Sequence, residues 1–536
     1  MSELLTRPPS LPAGVLALSS GILLALPLLY PTLFFLMWFA FVPLLLVIGR
    51  STLLQCYVFG MLAGLVFSMG VSYWIIDFIM LSKGYGVFQS LAWACLFWLY
   101  GAQLPAFIML LFGWLRQRTR LHDLLLFPVV AATLCAVFPM LFPVRLGESQ
   151  SGFIIALQAT ALVGVSGLDF IIAIVNCMLF RCLIREHRSW LMLPAAALVL
   201  LWFAYGWHAM LKWDDVLAQQ QTVRFGLVQP NEKPTLEAPP IYAGYSRAFP
   251  PELEMTQRLA AAGADIVVWP EARHKGYFDM AAVQAAFADT VDELDVKLVF
   301  QDIETRPSVD EQAVSVQFNT AVMIDAQGEE VGRYRKVMRI PFGEYVPLVS
   351  NVPFVKAQAE QFLGAFLNEI AAGDAHEVFT DDEVQLVPLI CYETVFPAFA
   401  AKAVATAGEG PGGLLLALSS NGWFGATHQP YQHVHSAILR AVENRLPMVH
   451  VVNNGPSVVV LPNGRVLFKS PSQQAGGWLV DVPIAEQFEP APFTLYPNVF
   501  TGGLLTCLFL FMLVATFLPL LSDRFAGRQA EIRYRQ

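Results

Sequence analysis

Cys391 is the residue of this chain best suited to covalent chemistry, because of where the other cysteines fall. Cys56, Cys95, Cys135, Cys177, Cys182 and Cys507 lie in or beside long apolar runs, where a cysteine behaves as a small hydrophobe. Cys391 alone belongs to the polar stretch 222–488, so that stretch cannot close an internal disulfide and keeps a lone thiol. Composition by itself favours a buried structural cysteine. The neighbours weigh the other way: apolar Leu386-Val387-Pro388-Leu389-Ile390 precedes the thiol and polar Tyr392-Glu393-Thr394 comes after it. A thiol placed where a buried strand ends and turns can take an acyl group when a base lies near.

Glu271 has the same address, since it ends Asp265-Ile266-Val267-Val268-Trp269-Pro270, and a carboxylate at the mouth of an apolar strand can serve as a general base. Lys336 and Glu344 bracket a loop-like segment, Val337-Met338-Arg339-Ile340-Pro341-Phe342-Gly343. Taken singly, each of these charges fits an ordinary surface residue. His433 and His435 stand two apart without partners in metal-ligand spacing, and the chain has no Gly-rich phosphate loop, so no metal and no other cofactor is called for.

The elements that must position these groups are short β-branched runs at 223–228, 265–269, 296–300, 320–324, 386–390, 414–418, 448–452 and 458–461, which read as buried strands. Helical stretches at 251–262, 280–294 and 397–407 lie between several of them. The alternation predicts one α/β domain over 222–488, a layered sandwich with helices outside the sheets.

The rest of the chain belongs to another solvent. The protein is 56% hydrophobic and 14% charged, with a mean hydropathy of +0.54, too apolar for an ordinary soluble protein. Residues 222–488 hold 31 of the 42 acids and 18 of the 33 Lys and Arg. Seven apolar runs near 12–30, 32–49, 54–77, 87–115, 124–143, 154–180 and 189–208 precede that block and one near 498–521 comes after it, each close to the roughly 20 residues a bilayer requires. Basic residues divide unevenly between the two sides: Arg7, Arg50, Arg116, Arg118, Arg120, Arg181, Arg185, Arg188, Arg524, Arg528, Arg533 and Arg535 on one, and Lys83, Arg145 and Lys212 on the other. The positive-inside rule therefore expects both termini in the cytoplasm and the polar block outside. Two acids inside apolar runs, Asp77 and Asp169, are costly in lipid and are candidates for a role.

Four local words now stand in order: Trp269-Pro270-Glu271, Lys336 with Pro341-Phe342-Gly343-Glu344, Cys391-Tyr392-Glu393 and Asn421-Gly422-Trp423-Phe424-Gly425. In this order they resemble the nitrilase superfamily, and with apolar spans on either side the chain is similar to the apolipoprotein N-acyltransferase family. The resemblance covers nearly the whole chain. It implies a multi-span α-helical membrane domain at 1–221, an extracytoplasmic nitrilase-like αββα sandwich at 222–488, and a final span with a basic cytoplasmic tail at 489–536. It implies Cys391 as nucleophile, Glu271 as general base, Lys336 as oxyanion stabiliser and Glu344, Tyr392 and Glu393 as supporting residues, with Trp423 and Phe424 toward substrate. The implied reaction takes an acyl chain from a membrane phospholipid, through a thioester, to the amine of a diacylglyceryl apolipoprotein in the bacterial inner membrane. A monomer is expected, with membrane lipid and no nucleic acid as partner.

A membrane-tethered amidase or nitrilase would use the same residues with water as the acceptor. A transporter or lipid-binding protein would explain the spans and leave the three charged words unexplained. Because both substrates of the acyl transfer carry buried chains, apolar residues such as Phe354, Phe362, Phe366 and Trp423 are candidates for the lipid interface, with ordinary core packing as the alternative.

Overall fold

The largely apolar runs fold here as helices packed face to face: α1 (Ala13–Leu29), α2 (Val42–Ile48), α3 (Leu53–Val71), α4 (Ile75–Lys83), α5 (Val87–Gly101), α6 (Gln103–Arg118), α7 (Asp123–Val137), α8 (Val165–Leu183) and α9 (Met192–Leu217). The structure, a computed structural model, describes residues 13–534 apart from 50, 120, 186–189, 236–237, 239, 272–273, 308–314, 342, 346–353, 355–369, 382 and 409, with side chains to residue 518. Six stretches are long and apolar enough to cross a membrane: Pro31–Ile48, Leu53–Val71, Val87–Arg118, Val165–Leu183, Met192–Leu217 and Val499–Leu518. Shorter apolar helices occupy Ala13–Leu29, Asp123–Val137 and Ile154–Val163.

Several of the expected runs are divided, that at 154–180 falling into Ile154–Val163 and Val165–Leu183. The run at 54–77 stops at Val71, where Ser72 leaves helical geometry and its carbonyl accepts from the Trp98 indole at 3.1 Å; α4 then starts afresh. The run at 87–115 is α5 and α6 in series, meeting at Ala102, with Pro105 in the first turn of α6 where its missing N–H costs nothing. Helices α3 and α6 touch backbone to backbone. A Cβ on Gly60 would lie 2.7 Å from Ala106 Cα, and one on Gly64 2.5 Å from the Ala102 carbonyl, so only glycine permits this approach. Asp123, at the start of α7, pairs with Arg116 of α6 at 3.0 Å and Arg181 of α8 at 3.2 Å, which gathers three helix ends into one ionic cluster.

The polar stretch folds as two sheets. The strands are β1 (Gln221–Gln229), β2 (Ile266–Val268), β3 (Lys297–Pro307), β4 (Ser315–Ile324), β5 (Glu330–Arg335), β6 (Ile370–Ala371), β7 (Phe379–Thr380), β8 (Gln385–Ile390), β9 (Gly413–Ser419), β10 (Met448–Val452), β11 (Val458–Val460), β12 (Val466–Lys469) and β13 (Gly476–Ile484). One sheet runs β13-β1-β2-β3-β4-β5 with β6 beside β4; the other runs β12-β11-β10-β9-β8-β7. Their facing sides share a core of Phe225, Ile266, Val299, Leu386, Ile390 and Leu416. Helices α10 (Pro251–Ala261) and α11 (Ala281–Leu294) cover the first sheet, and α12 (Pro397–Val404) and α13 (Gln429–Asn444) cover the second, giving helix, sheet, sheet, helix. The apolar layer under α12 and α13 is continuous with that of the membrane helices. Strands β8 and β9 are buried throughout, which is why they read as unbroken apolar runs. After β13, α14 (Val499–Tyr534) carries the last span.

Candidate active site

Parallel strands β2, β8 and β9 end on the same side of the sandwich, and the residues that carry the chemistry sit just past those ends. Cys391 is the first residue after β8 and takes φ +51, a left-handed backbone that costs a non-glycine residue roughly 1–3 kcal/mol. Two groups hold its carbonyl in that geometry. Thr394 Oγ1 donates to it at 2.9 Å, and Nε2 of His433, on α13, lies 3.2 Å away. Thr394 Oγ1 also meets His433 Nε2, and Asn421 Oδ1 lies 3.2 Å from Nδ1 of the same ring.

Glu271 lies shortly after β2 and is buried. Its Oε1 accepts from Asn319 Nδ2 at 2.8 Å and its Oε2 from the backbone N–H of Ser420, just past β9, at 3.1 Å. Its carboxylate lies close enough to the Cys391 thiol to act on it electrostatically. Lys336 comes directly after β5 and is fully buried, its backbone N–H donating to the Asn319 carbonyl at 2.8 Å. Asn319 therefore holds the carboxylate with its side chain and the lysine with its backbone. Lys336 Nζ donates to Glu344 Oε1 at 2.9 Å, and Glu344 Oε2 accepts from the Ile340 N–H at 2.8 Å, which closes the 336–344 loop on itself.

Burial works against the charge on Lys336, but Glu344, Glu271 and Cys391 outweigh it and raise its pKa above the ordinary lysine value. For Cys391 burial and then Glu271 push the thiol up, with Lys336 pulling the other way. The resting pair is thus a neutral thiol beside a carboxylate, with a fixed ammonium across from both. A thiol so held gives up its proton to the carboxylate as it attacks, and the ammonium meets the negative oxygen that forms.

Glu393 ties the two loops together. Fully buried, it accepts from the backbone N–H groups of Val337 and Met338 at 2.8 and 2.9 Å, from Tyr334 Oη at 2.8 Å, and from the Ile390 N–H at 2.7 Å. Burial pushes its pKa up to about 7. Tyr392 points toward the membrane helices, its hydroxyl donating to the Leu141 carbonyl and its ring standing 5.8 Å from Phe142. Phe424 packs with Trp74 and Phe78 of the α3–α4 segment at 5.1 and 5.3 Å, and half-buried Trp423 joins the same cluster. Both residues thus sit between the sandwich and the helices, one ring removed from Tyr392 through Phe142.

Phe354 is 75% exposed, while Phe362 and Phe366 lie outside the described residues. Asp77 sits in the first turn of α4 against Gly425, and Asp169 is buried in α8, accepting from the Gly147 N–H at 2.7 Å. Asn319, Ser420, Thr394 and His433 were missed from sequence. For Asn319 a signal exists, an amide inside the apolar strand Phe318 to Ile324; for the Ser420 N–H there is none, since any residue supplies it.

Residues 20–178 match the apolipoprotein N-acyltransferase N-terminal domain, and residues 241–486 match the carbon-nitrogen hydrolase family. The apolipoprotein N-acyltransferase of Geobacter metallireducens is 28% identical over 477 residues, covering 85% of this chain and 87% of its own. That of Shewanella oneidensis is 27% identical, covering 78% of this chain and 79% of its own. Among solved structures, an amidase from Nesterenkonia sp. is 20% identical with a TM-score of 0.35, covering 49% of this chain and 92% of its own. With both domain models matched in order along one chain, and relatives of that kind aligned across most of its length, the protein belongs to the apolipoprotein N-acyltransferase family.

Proposed function

We propose that this protein moves a fatty acyl chain from a membrane phospholipid to the amine of a diacylglyceryl-cysteine on an apolipoprotein, with the acyl group carried on Cys391. The observation that carries the reading is the placement of a thiol beside Glu271 and buried Lys336, on a turn whose next residue reaches the segment after α7 at Leu141.

In the first half-reaction Cys391 Sγ attacks the ester carbonyl carbon while Glu271 takes the thiol proton. The carbonyl electron pair moves onto oxygen, facing the Lys336 ammonium. Collapse breaks the bond to the glycerol oxygen, which leaves as lysophospholipid with the proton from Glu271. In the second, the acceptor amine attacks the thioester, Glu271 takes its proton, and Cys391 leaves and is reprotonated. Glu344 orients Lys336, and Glu393 keeps the lysine loop and the cysteine turn in one frame. A small cleft of about 70 Å³ lined by Phe67, Val71, Trp74, Phe97 and Phe142, with Val395 and His433 in its wall, offers the donor chain an apolar surface beside the Cys391 turn. Trp423 and Phe424 are placed for the same task.

The chain acts as a monomer, with residues 222–488 forming the catalytic domain on the periplasmic side of the inner membrane, between membrane segments 1–221 and 489–536. The charge asymmetry of the basic loops supports this orientation.

Incubation of the purified protein with phospholipid should give an acyl adduct on Cys391 by mass spectrometry and one equivalent of lysophospholipid, with further turnover once an acceptor lipopeptide is added. Cys391→Ser should form no adduct while staying folded. An adduct elsewhere, or full activity of the variant, rules the assignment out. Steady lysophospholipid release without acceptor would instead favour hydrolysis, with water as the acceptor.

A further inference from the structure

Behind the Cys391 turn lie buried charges that take no part in these proton transfers. Arg440 and Glu443 of α13 are both fully buried and paired, Arg440 Nε donating to Glu443 Oε2 at 2.7 Å. Each also reaches a separate part of the chain. Arg440 Nη1 donates to the Thr394 carbonyl at 3.2 Å, and Glu443 Oε1 accepts from the backbone N–H of Val165 at 2.8 Å. Val165 is the first residue of α8, a helix long and apolar enough to cross a membrane, and its N–H is one of the four that a helix leaves unpaired at its start. A carboxylate is the favoured partner there.

Burying an ion pair costs more desolvation than its attraction returns unless the remaining hydrogen-bonding positions are also filled. Here two of them meet main-chain groups, one opening a membrane helix and one in the turn that begins with the thiol. That turn needs outside support, since Cys391 keeps φ +51 only where its surroundings fix it. Thr394 and His433 hold the Cys391 carbonyl, and Arg440 holds the carbonyl of Thr394 in turn.

We infer that Arg440 is a positioning residue for acylation: through Thr394 it fixes the backbone from which the Cys391 thiol projects, and through Glu443 it ties that backbone to the first turn of α8. The inference rests on Cys391 being the nucleophile. It makes the aim of the thiol depend on how the sandwich is seated on a membrane helix, so the two halves of the chain are one catalytic unit.

Two full-length variants test it. Arg440→Lys keeps a charge opposite Glu443 but loses the planar fork that reaches Thr394 at the same time. Arg440→Met combined with Glu443→Leu replaces the pair by apolar groups, a change that buried ion pairs often tolerate without loss of stability. In both, the thermal midpoint should hold and the KM for phospholipid should stay within about threefold, while the single-turnover rate of Cys391 acylation falls about 100-fold, as expected of a slightly misplaced reacting group. A wild-type acylation rate in either variant overturns the inference. So does a loss that only tracks the unfolded fraction, or a raised KM with kcat unchanged. Cys391→Ala, assayed alongside, keeps the two levels apart: acyl transfer retained there defeats the nucleophile assignment itself, whereas its loss beside normal rates in the Arg440 variants defeats the role of Arg440 alone.

Discussion

Glu271 and Glu344 are interchangeable by order in the chain, and their hydrogen bonds separate them. Glu271 accepts from Asn319 and the Ser420 N–H and lies beside the Cys391 thiol, whereas Glu344 spends one oxygen on Lys336 Nζ and the other on the Ile340 N–H. Glu271→Gln should therefore prevent thioester formation, since an amide cannot take the thiol proton. Glu344→Gln keeps the shape and one acceptor, and should slow both half-reactions by about 10- to 100-fold through weaker placement of Lys336. Single-turnover acylation of both variants decides it. Near-normal acylation by Glu271→Gln, with none by Glu344→Gln, would move the base to the other carboxylate. At this scale Glu271 and Cys391 were legible because each lies just past the end of an apolar strand, an address that sequence displays, whereas Lys336 and Glu344 were marked by the Pro-Gly loop between them. The groups that position them were not: Asn319 and the Ser420 N–H meet Glu271 only once β4 and β9 are brought to β2 in space.

At the scale of elements, the long apolar strands β8, β9 and β10 were readable because both faces are covered, while β5, β12 and β13 were not, being edge strands with mixed polarity. Helix α13 escaped for the opposite reason. From His433 to Asn444 every residue is buried, so the helix lacks the polar outer face by which an ordinary surface helix is known and instead carries paired polar groups inward. Its histidines look like isolated polar residues in sequence and are neutral, packed ones in the fold. Burial lowers His433 and His435 each to about 4. Because the folded-state values lie below the ordinary histidine range, the unfolded chain binds more protons between about pH 6.5 and 4, and stability falls as pH drops through that window. Each histidine should contribute roughly 1.4 kcal/mol per pH unit. Thermal midpoints from pH 7.5 to 5 should thus decline more gently in His433→Gln/His435→Gln than in the parent chain. Equal slopes would place the acid sensitivity elsewhere.

The whole molecule is a sandwich set against helices, with charge gathered at the helix ends. Arg116 and Arg181 converge on Asp123, while Arg145 and Asp214 sit at the opposite side, near the sandwich: Arg145 lies within electrostatic reach of Glu443, and Asp214 pairs with Arg465 at 2.7 Å. The count of spans was less legible than their existence, since breaks at Ser72 and Ala102 leave no mark in hydropathy. A cytoplasmic reporter fused after Gln536 should be active inside the cell, and a reporter that works only in the periplasm should be active when inserted at 407–412, a stretch between α12 and β9. Removing basic charge tests the cause: replacing Arg116, Arg118 and Arg181 with neutral residues should lower correct insertion, because these residues supply part of the Lys and Arg excess that the positive-inside bias counts. If instead the 407–412 reporter is active in the cytoplasm, Cys391 lies in a reducing compartment on the face away from mature lipoproteins, and acyl transfer to them is excluded whatever the thiol can do in a purified preparation.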